Sequence, residues 1–209
     1  MTHDKALVAE KLRKWEGFLQ EYELPTWDML PCIELYMDQV LVLLTQYLNF
    51  LPREDGAENI TTPAMVNNYV KMKVLPPPVK KRYSRVHLAY LIMVCMLKQT
   101  LGISLVQQIL PADASEDTVH ATYDAFVRMH KSVAAQFAAE VRAAASPALL
   151  SEEPADSAVG GLILQAAIAA SLFKLLTEKL VSLGDAPETA PPAAGGGLIN
   201  LNGKASPHL

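Results

Sequence analysis

Apolar residues recur at helical spacing in most segments of this 209-residue chain. Between Asp4 and Tyr22, for example, large apolar side chains return every three to four residues. Such spacing lines one face of an α-helix, whereas a half-buried strand requires strict alternation. The same period elsewhere predicts an all-α protein. The one segment of different character is a short, basic, hairpin-like stretch at residues 79–85.

Prolines and polar runs divide the periodic segments into predicted helices. These lie at residues 4–22, 33–51, 62–73, 87–101, 105–110, 116–142 and 157–183. After them the composition shifts to Pro, Ala and Gly, which predicts a disordered tail. The sequence therefore divides into an N-terminal helix at 1–24, a first domain at 25–112, a helical region at 113–184 and the tail at 185–209.

Residues that commonly carry catalysis or metal binding are sparse. The two cysteines and five histidines show no metal-binding spacing, and no glycine-rich phosphate loop occurs. Glu116, His120 and Asp124 share a predicted helix face, but a surface charge pair explains this pattern. We therefore expect no catalytic activity, no cofactor and no metal. The lack of a disulfide framework and of a secretory signal favours a reduced, cytoplasmic compartment.

One segment, Ala158–Phe173, resembles a membrane span in composition. It has 16 residues and contains two polar side chains, and Lys174 follows it directly. A helix needs about 20 apolar residues to cross a bilayer. The length therefore predicts a buried helix of a protein that has no membrane partner.

Charge is distributed unevenly along the chain. Residues 59–112 contain seven Lys and Arg side chains and no Asp or Glu, whereas the other 155 residues carry a net charge of −11. Attraction to phosphate depends on the charge within about 10 Å, so the overall charge of −4 does not exclude nucleic acid. A solvated basic face is the alternative interpretation of this segment.

A short helix within the acid-free segment has two contrasting faces. Thr61 or Thr62 is expected to cap it, and Pro63 suits its first position because proline lacks only an N–H that is not needed there. At about 100° per residue, four apolar side chains fall on one face. The opposite face carries Ala64, Asn67, Asn68 and Lys71. Amides pair with adenine edges in the major groove, and cations bind phosphate or guanine.

Residues 65–77, MVNNYVKMKVLPP, resemble the recognition segment of MerR-type winged helix-turn-helix regulators. The aromatic Tyr69 and the ending in a hydrophobic pair and proline carry the resemblance. Residues 81–88 resemble the wing and the next helix of those proteins, and residues 88–110, with their LGISL turn, resemble the paired helices that follow. Where that family has glycine before the hydrophobic pair, this chain has Lys73, so the chain must turn there without the freedom of glycine.

As a whole, residues 25–110 resemble an uncharacterised bacterial family of unknown function through the elements LYMDQV, NNYVK and KKRYSR. The two resemblances imply an all-α fold with a small two-stranded wing, a MerR-like winged helix-turn-helix, followed by a C-terminal helical pair. They also imply a sequence-specific double-stranded DNA-binding protein, a bacterial transcription regulator. The expected DNA contacts are Thr62, Asn67, Asn68, Lys71, Lys73, Lys80, Lys81, Arg82, Tyr83 and Arg85.

We expect a homodimer through residues 116–183. Apolar residues from Val119 to Val141 follow a nearly heptad spacing, and the run Gly160–Ala170 is rich in Ala and Gly. Together they offer more apolar surface than one isolated helix pair covers. Two alternatives to DNA binding remain open: a helical protein-interaction module that has lost DNA binding, and a sensor with an apolar pocket between the last two helices.

Overall fold

The computed structural model describes residues 4–51, 53, 58–110, 112–150 and 155–184. The predicted disordered tail at 185–209 lies outside these residues. Seven α-helices and one short 3-10 turn make up the regular structure of the described part. In chain order they are α1 (Lys5–Glu21), the 3-10 turn (Trp27–Met29), α2 (Met37–Tyr47), α3 (Pro63–Lys71), α4 (Arg85–Leu97), α5 (Ile103–Ile109), α6 (Glu116–Leu150) and α7 (Ala155–Gly184).

Helix α4 is the centre of the core. Every residue from His87 to Cys95 is buried, because this helix is apolar nearly all round and other elements cover each of its sides. The core around it draws on several elements and includes Trp27, Leu30, Val40, Leu44, Val66, Tyr69, Val106 and Tyr123. Burial of these apolar side chains is the main force that holds α2 to α5 together.

The first turns of α6 belong to the same core. Val119 and Tyr123 are fully buried, and the Tyr123 hydroxyl donates a hydrogen bond of 2.8 Å to the backbone carbonyl of Pro25. The N-terminal end of the nearly heptad row in α6 is therefore used inside the chain. Further along α6, Val133 and Phe137 are exposed to solvent.

The predicted two-stranded wing is wrong. The described residues contain no β-strand, only two isolated antiparallel bridges, Leu35 with Tyr83 and Val79 with Arg82. Only Lys80 and Lys81 lie between Val79 and Arg82, so no second pair of residues can form a bridge inside this turn. Pro76 to Pro78 precede it, and proline has no N–H to donate to a neighbouring strand. The fold of the described part is helical.

Capping side chains decide several helix boundaries. The helix predicted at 33–51 occupies only Met37–Tyr47, and the one predicted at 87–101 is α4, which begins directly after Ser84. The helices predicted at 116–142 and 157–183 both extend beyond their predicted bounds, since α6 continues to Leu150 and α7 begins at Ala155. Helix α3, in contrast, starts at Pro63 as predicted, with the Thr62 hydroxyl accepting from the Met65 N–H at 3.2 Å.

Helix α7 is not the buried helix that its apolar composition predicts. Among the described helices, its stretch Asp156–Gly184 is long and apolar enough to cross a membrane, yet only 6% of its most apolar part is buried inside the chain. Ala158 and Val159 near its start are buried, and α7 contacts α6 and α5, but most of its apolar surface stays exposed in the described part of the chain.

Candidate nucleic-acid interface

Helix α3 presents the two faces that its sequence predicts. Val66 and Tyr69 are buried in the core, whereas Asn67, Asn68 and Lys71 are exposed. The Asn68 amide nitrogen lies 3.5 Å from the Met72 sulfur, a weak contact that an incoming base edge would readily displace. The polar face of α3 is therefore open to a partner, while its apolar face fixes the helix to the domain.

Three lysines near α3 adopt a backbone conformation that favours glycine. Lys73, Lys80 and Lys81 have φ angles of 54°, 49° and 62°, and they are the only described non-glycine residues with positive φ. The left-handed region costs an L-residue roughly 1–2 kcal/mol. Strain of this kind tends to persist where a side chain has a function.

Lys80 and Lys81 form the tip of a tight turn that we call the basic turn, residues 79–82. The Arg82 N–H donates to the Val79 carbonyl at 2.9 Å, and positive φ at both central residues is the requirement of a type I′ turn. That turn type strongly prefers Asn-Gly at the centre. Both lysine side chains are exposed, so the chain presents two adjacent cations at a position where less strained residues would suffice.

Contacts with the segment before α2 hold the basic turn in place. Leu35 and Tyr83 exchange two backbone hydrogen bonds of 2.8 and 2.9 Å. The Arg82 guanidinium donates to the Tyr36 hydroxyl at 2.8 Å and lies 4.4 Å from the centre of the Tyr36 ring. Sequence reasoning missed Tyr36 as part of this surface. No local pattern in the sequence indicates this pairing, because it joins residues 46 positions apart.

Two of the predicted DNA contacts point into the protein. Tyr83 is buried and forms part of the core. Arg85 is half-buried, and its guanidinium lies 5.6 Å from the centre of the Trp27 ring. Among the other cations of the segment, Lys98 donates to the Tyr69 hydroxyl at 3.4 Å. The exposed contacts that remain are Thr62, Asn67, Asn68, Lys71, Lys73, Lys80 and Lys81, with Arg82 half-buried against Tyr36.

Carboxylates do not neutralise these cations within the described part of the chain. None of the ion pairs found there includes a cation from residues 59–112. One acidic side chain, Asp113, lines a hollow of about 650 Å³ together with Lys71, Lys73, Pro77 and Gln107. The surface around α3 and the basic turn therefore keeps a positive local charge despite the negative total.

His87 connects the basic turn to the core helix. The Ser84 N–H donates to His87 Nδ1 at 3.0 Å, and the Ser84 hydroxyl lies 2.9 Å from the same nitrogen. Burial is the main influence that lowers the pKa of His87, and hydrogen bonding to the Pro77 and Pro76 backbone opposes it. The neutral imidazole thus caps α4 directly after the turn and fixes its starting point.

The described residues offer no metal centre, since no three His, Cys, Asp or Glu side chains gather there. His120 lies 3.3 Å from Asp124 one helical turn away and stacks on Trp27 at 4.6 Å between ring centres. This arrangement accounts for the acidic and histidine residues that share a face of α6.

Residues 25–126 match the family model DUF1836, a domain of unknown function. A DUF1836 domain therefore spans the region from the 3-10 turn to the first part of α6. The expected resemblance of residues 25–110 to a family of unknown function is confirmed at this level. No curated protein and no solved structure matches the chain significantly.

Proposed function

We propose that the DUF1836 domain of this chain binds double-stranded DNA with sequence preference and that the protein is a bacterial transcription regulator. In this proposal α3 enters the major groove with Asn67, Asn68 and Lys71 toward the base edges, and the basic turn contacts phosphates. The similarity of residues 65–77 to the recognition segment of MerR-type regulators supports the role of α3.

The observation that carries the proposal is the pair of lysines at the tip of the basic turn. Lys80 and Lys81 are exposed, both have positive φ, and neither forms an ion pair among the described residues. A sequence that keeps two cations in a strained turn, where Asn-Gly would be more stable, suits an anionic partner better than a merely solvated face.

The spacing of the two elements suits one duplex. Lys80 follows Lys73 by seven positions, so their Cα atoms lie within about 25 Å of each other. One turn of B-DNA rises about 34 Å. A helix in the groove and a turn on the adjacent backbone are therefore within reach of the same DNA segment.

A salt-dependent binding titration of the full-length chain tests the proposal. We expect the logarithm of the affinity for duplex DNA to fall linearly with the logarithm of salt concentration. Lys80→Ala with Lys81→Ala should weaken binding to all duplexes and reduce the slope by about 2, since each lost phosphate contact contributes about 0.9. The matched control is Lys11→Ala with Lys14→Ala on α1, which should change neither quantity.

Failure to bind any duplex, including a site-selection pool, would contradict the proposal and favour the protein-interaction module. Binding that both pairs of substitutions weaken equally would also contradict it, because the attraction would then be a general effect of charge.

A second candidate function, sensing of a small apolar molecule, is favoured by a groove between α1, α6 and α7. The groove measures about 360 Å³ and is lined by apolar residues that include Leu12, Trp15, Phe137 and Leu162. Ligand sites commonly measure roughly 300–1,000 Å³. Binding of the dye 1-anilinonaphthalene-8-sulfonate to the full chain tests this function. A Trp15→Ala variant should alter the affinity for the dye, and an unchanged affinity would argue against the groove.

A further inference from the structure

Helix α7 carries a row of apolar side chains that extends past the part of the helix that packs on α1 and α6. The row alternates intervals of three and four residues along the whole helix, as in a coiled-coil seam. Its first half consists of Val159, Leu162, Ala166 and Ala169. Val159 is buried, and all four line the groove shared with α1 and α6. The first half of the row therefore faces partners within the same chain.

The second half of the row consists of Phe173, Leu176, Leu180 and Leu183, which we call the α7 seam. These side chains are 65%, 53%, 59% and 69% exposed. The apolar row that packs on α1 and α6 earlier in the helix thus continues over three further turns, in which more than half of each side chain is exposed. Large apolar side chains at regular helical spacing are typical of a helix–helix interface.

We propose that the α7 seam binds the same seam of a second copy of this chain and forms a homodimer. The four seam side chains are all more than half exposed. They present roughly 500 Å² per copy, so two copies would bury roughly 1,000 Å² in total, which is about the smallest area expected of a specific interface. This proposal differs from a dimer built on α6, since Val119 and Tyr123 are committed to the core. It does not depend on DNA binding.

The charges of α7 favour a protein partner over a bilayer. Lys174, Glu178 and Lys179 all lie in the same half of the helix as the seam, and the Lys174 ammonium lies 3.9 Å from a Glu178 carboxylate oxygen. The stretch without charged residues, from Ser157 to Phe173, has 17 residues, the lower end of the range that a span needs. At about 100° per residue, Lys174 and Glu178 fall on the side of the helix opposite Leu176 and Leu180. Such an amphipathic half is typical of helices that pair in water.

Analytical ultracentrifugation of the full-length chain tests the dimer. We expect the native protein, whose chain mass is 22.8 kDa, to sediment with twice that mass at micromolar concentration. Leu176→Glu with Leu180→Glu should yield a monomer of unchanged helical circular dichroism, because both side chains are exposed in the single chain. Leu176→Ala with Leu180→Ala, a milder pair, should raise the dimer dissociation constant by at least about tenfold.

The matched control is Ile33→Glu with Val42→Glu, which alters two exposed apolar residues of the DUF1836 domain and should leave the dimer intact. The proposal would be overturned if the native protein were still a monomer at about 50 μM. It would also be overturned if the dimer survived in both α7 variants. A monomer that floats with phosphatidylcholine vesicles and loses this property in the double glutamate variant would likewise overturn it, because the seam would then bind lipid.

Discussion

Asn67 and Asn68 differ from the lysines around them in what their side chains can distinguish. An amide both donates and accepts, so it recognises a base edge, whereas a lysine contributes charge with little dependence on sequence. Both asparagines are exposed on the face of α3 opposite Val66 and Tyr69. Preference among DNA sites and overall affinity should therefore respond to different residues.

We expect Asn67→Ala or Asn68→Ala to reduce the discrimination between the preferred site and altered sites by roughly 1–3 kcal/mol. The slope of affinity against salt should stay nearly unchanged, because no phosphate contact is lost. Competition binding with a preferred duplex and single-base variants measures both. Asn49→Ala, an exposed asparagine after α2, is the control. Unchanged preference in both α3 variants would show that α3 does not read sequence.

His87 makes stability depend on pH. Burial lowers the pKa of His87, so the unfolded state binds more protons than the folded state in mildly acidic solution. The contribution of the neutral imidazole is present above the unfolded pKa of about 6.5 and is lost as pH falls through the lower folded pKa. His130, whose pKa burial also lowers, acts in the same direction.

A His87→Gln variant should separate capping from titration. Glutamine at this position still offers an acceptor to the Ser84 N–H, as in a common capping box, but it does not titrate. We expect the loss of unfolding free energy between pH 7 and pH 5 to be smaller in the variant than in the native chain. Urea denaturation at the two pH values measures this, and an identical loss would show that His87 does not contribute.

At the scale of single elements, the basic turn illustrates a conflict between local stability and the proposed binding. Replacing Lys80 by Asn and Lys81 by Gly gives the turn its preferred residues. The variant should gain roughly 1–2 kcal/mol of unfolding free energy because the left-handed strain is relieved. It should at the same time bind DNA more weakly, with a salt slope smaller by about 2.

Lys80→Arg with Lys81→Arg is the control for the turn, since it keeps both charges and the strain. It should leave stability and affinity close to those of the native chain. Thermal and urea unfolding together with DNA titration measure all three proteins. If the Asn-Gly variant bound DNA as well as the native chain, the lysines of the turn would have no role in binding.

At the scale of the whole molecule, α6 ties the DUF1836 domain to the C-terminal helices. Its first turns lie in the core and its later turns pack on α1 and α7, where Arg142 pairs with Glu16 and Trp15 contacts Phe137 edge-on at 5.5 Å. Because one continuous helix belongs to both parts, it fixes their position relative to each other. A homodimer through α7 would therefore hold two DUF1836 domains in a defined relation, as two half-sites require.

The buried Tyr123 hydroxyl anchors the first turns of α6 to the start of the DUF1836 domain. Tyr123→Phe removes its hydrogen bond to the Pro25 carbonyl and leaves that carbonyl without its partner. We expect the unfolding free energy to fall by about 1–2 kcal/mol, as measured by urea denaturation. No measurable change would mean that water replaces the hydroxyl at this position.

Dimerisation and DNA binding should be coupled if both proposals hold. Leu176→Glu with Leu180→Glu should lower the affinity for a selected two-half-site duplex by at least about tenfold, since binding of the two domains is then no longer linked. The affinity for a single half-site should not change. Gel-shift titrations with the two duplexes measure this, and equal losses on both would point to damage within the domain instead.

The sequence by itself determined the elements whose signals are local. The helical period predicted an all-α chain, the Thr62 cap and Pro63 set the start of α3, and the two faces of α3 follow from its 100° spacing. These features depend on residues within a few positions of one another.

The tertiary structure alone decided what depends on distant partners. Leu35 pairs with Tyr83 and Val79 with Arg82 in isolated bridges instead of the predicted wing. Tyr83 lies in the core and Arg85 lies against Trp27, and both contacts involve residues far apart in the sequence. Helix α7 shows the same limit most clearly. Its apolar composition predicts burial, but only the tertiary structure shows that most of its apolar surface stays exposed in the described part of the chain.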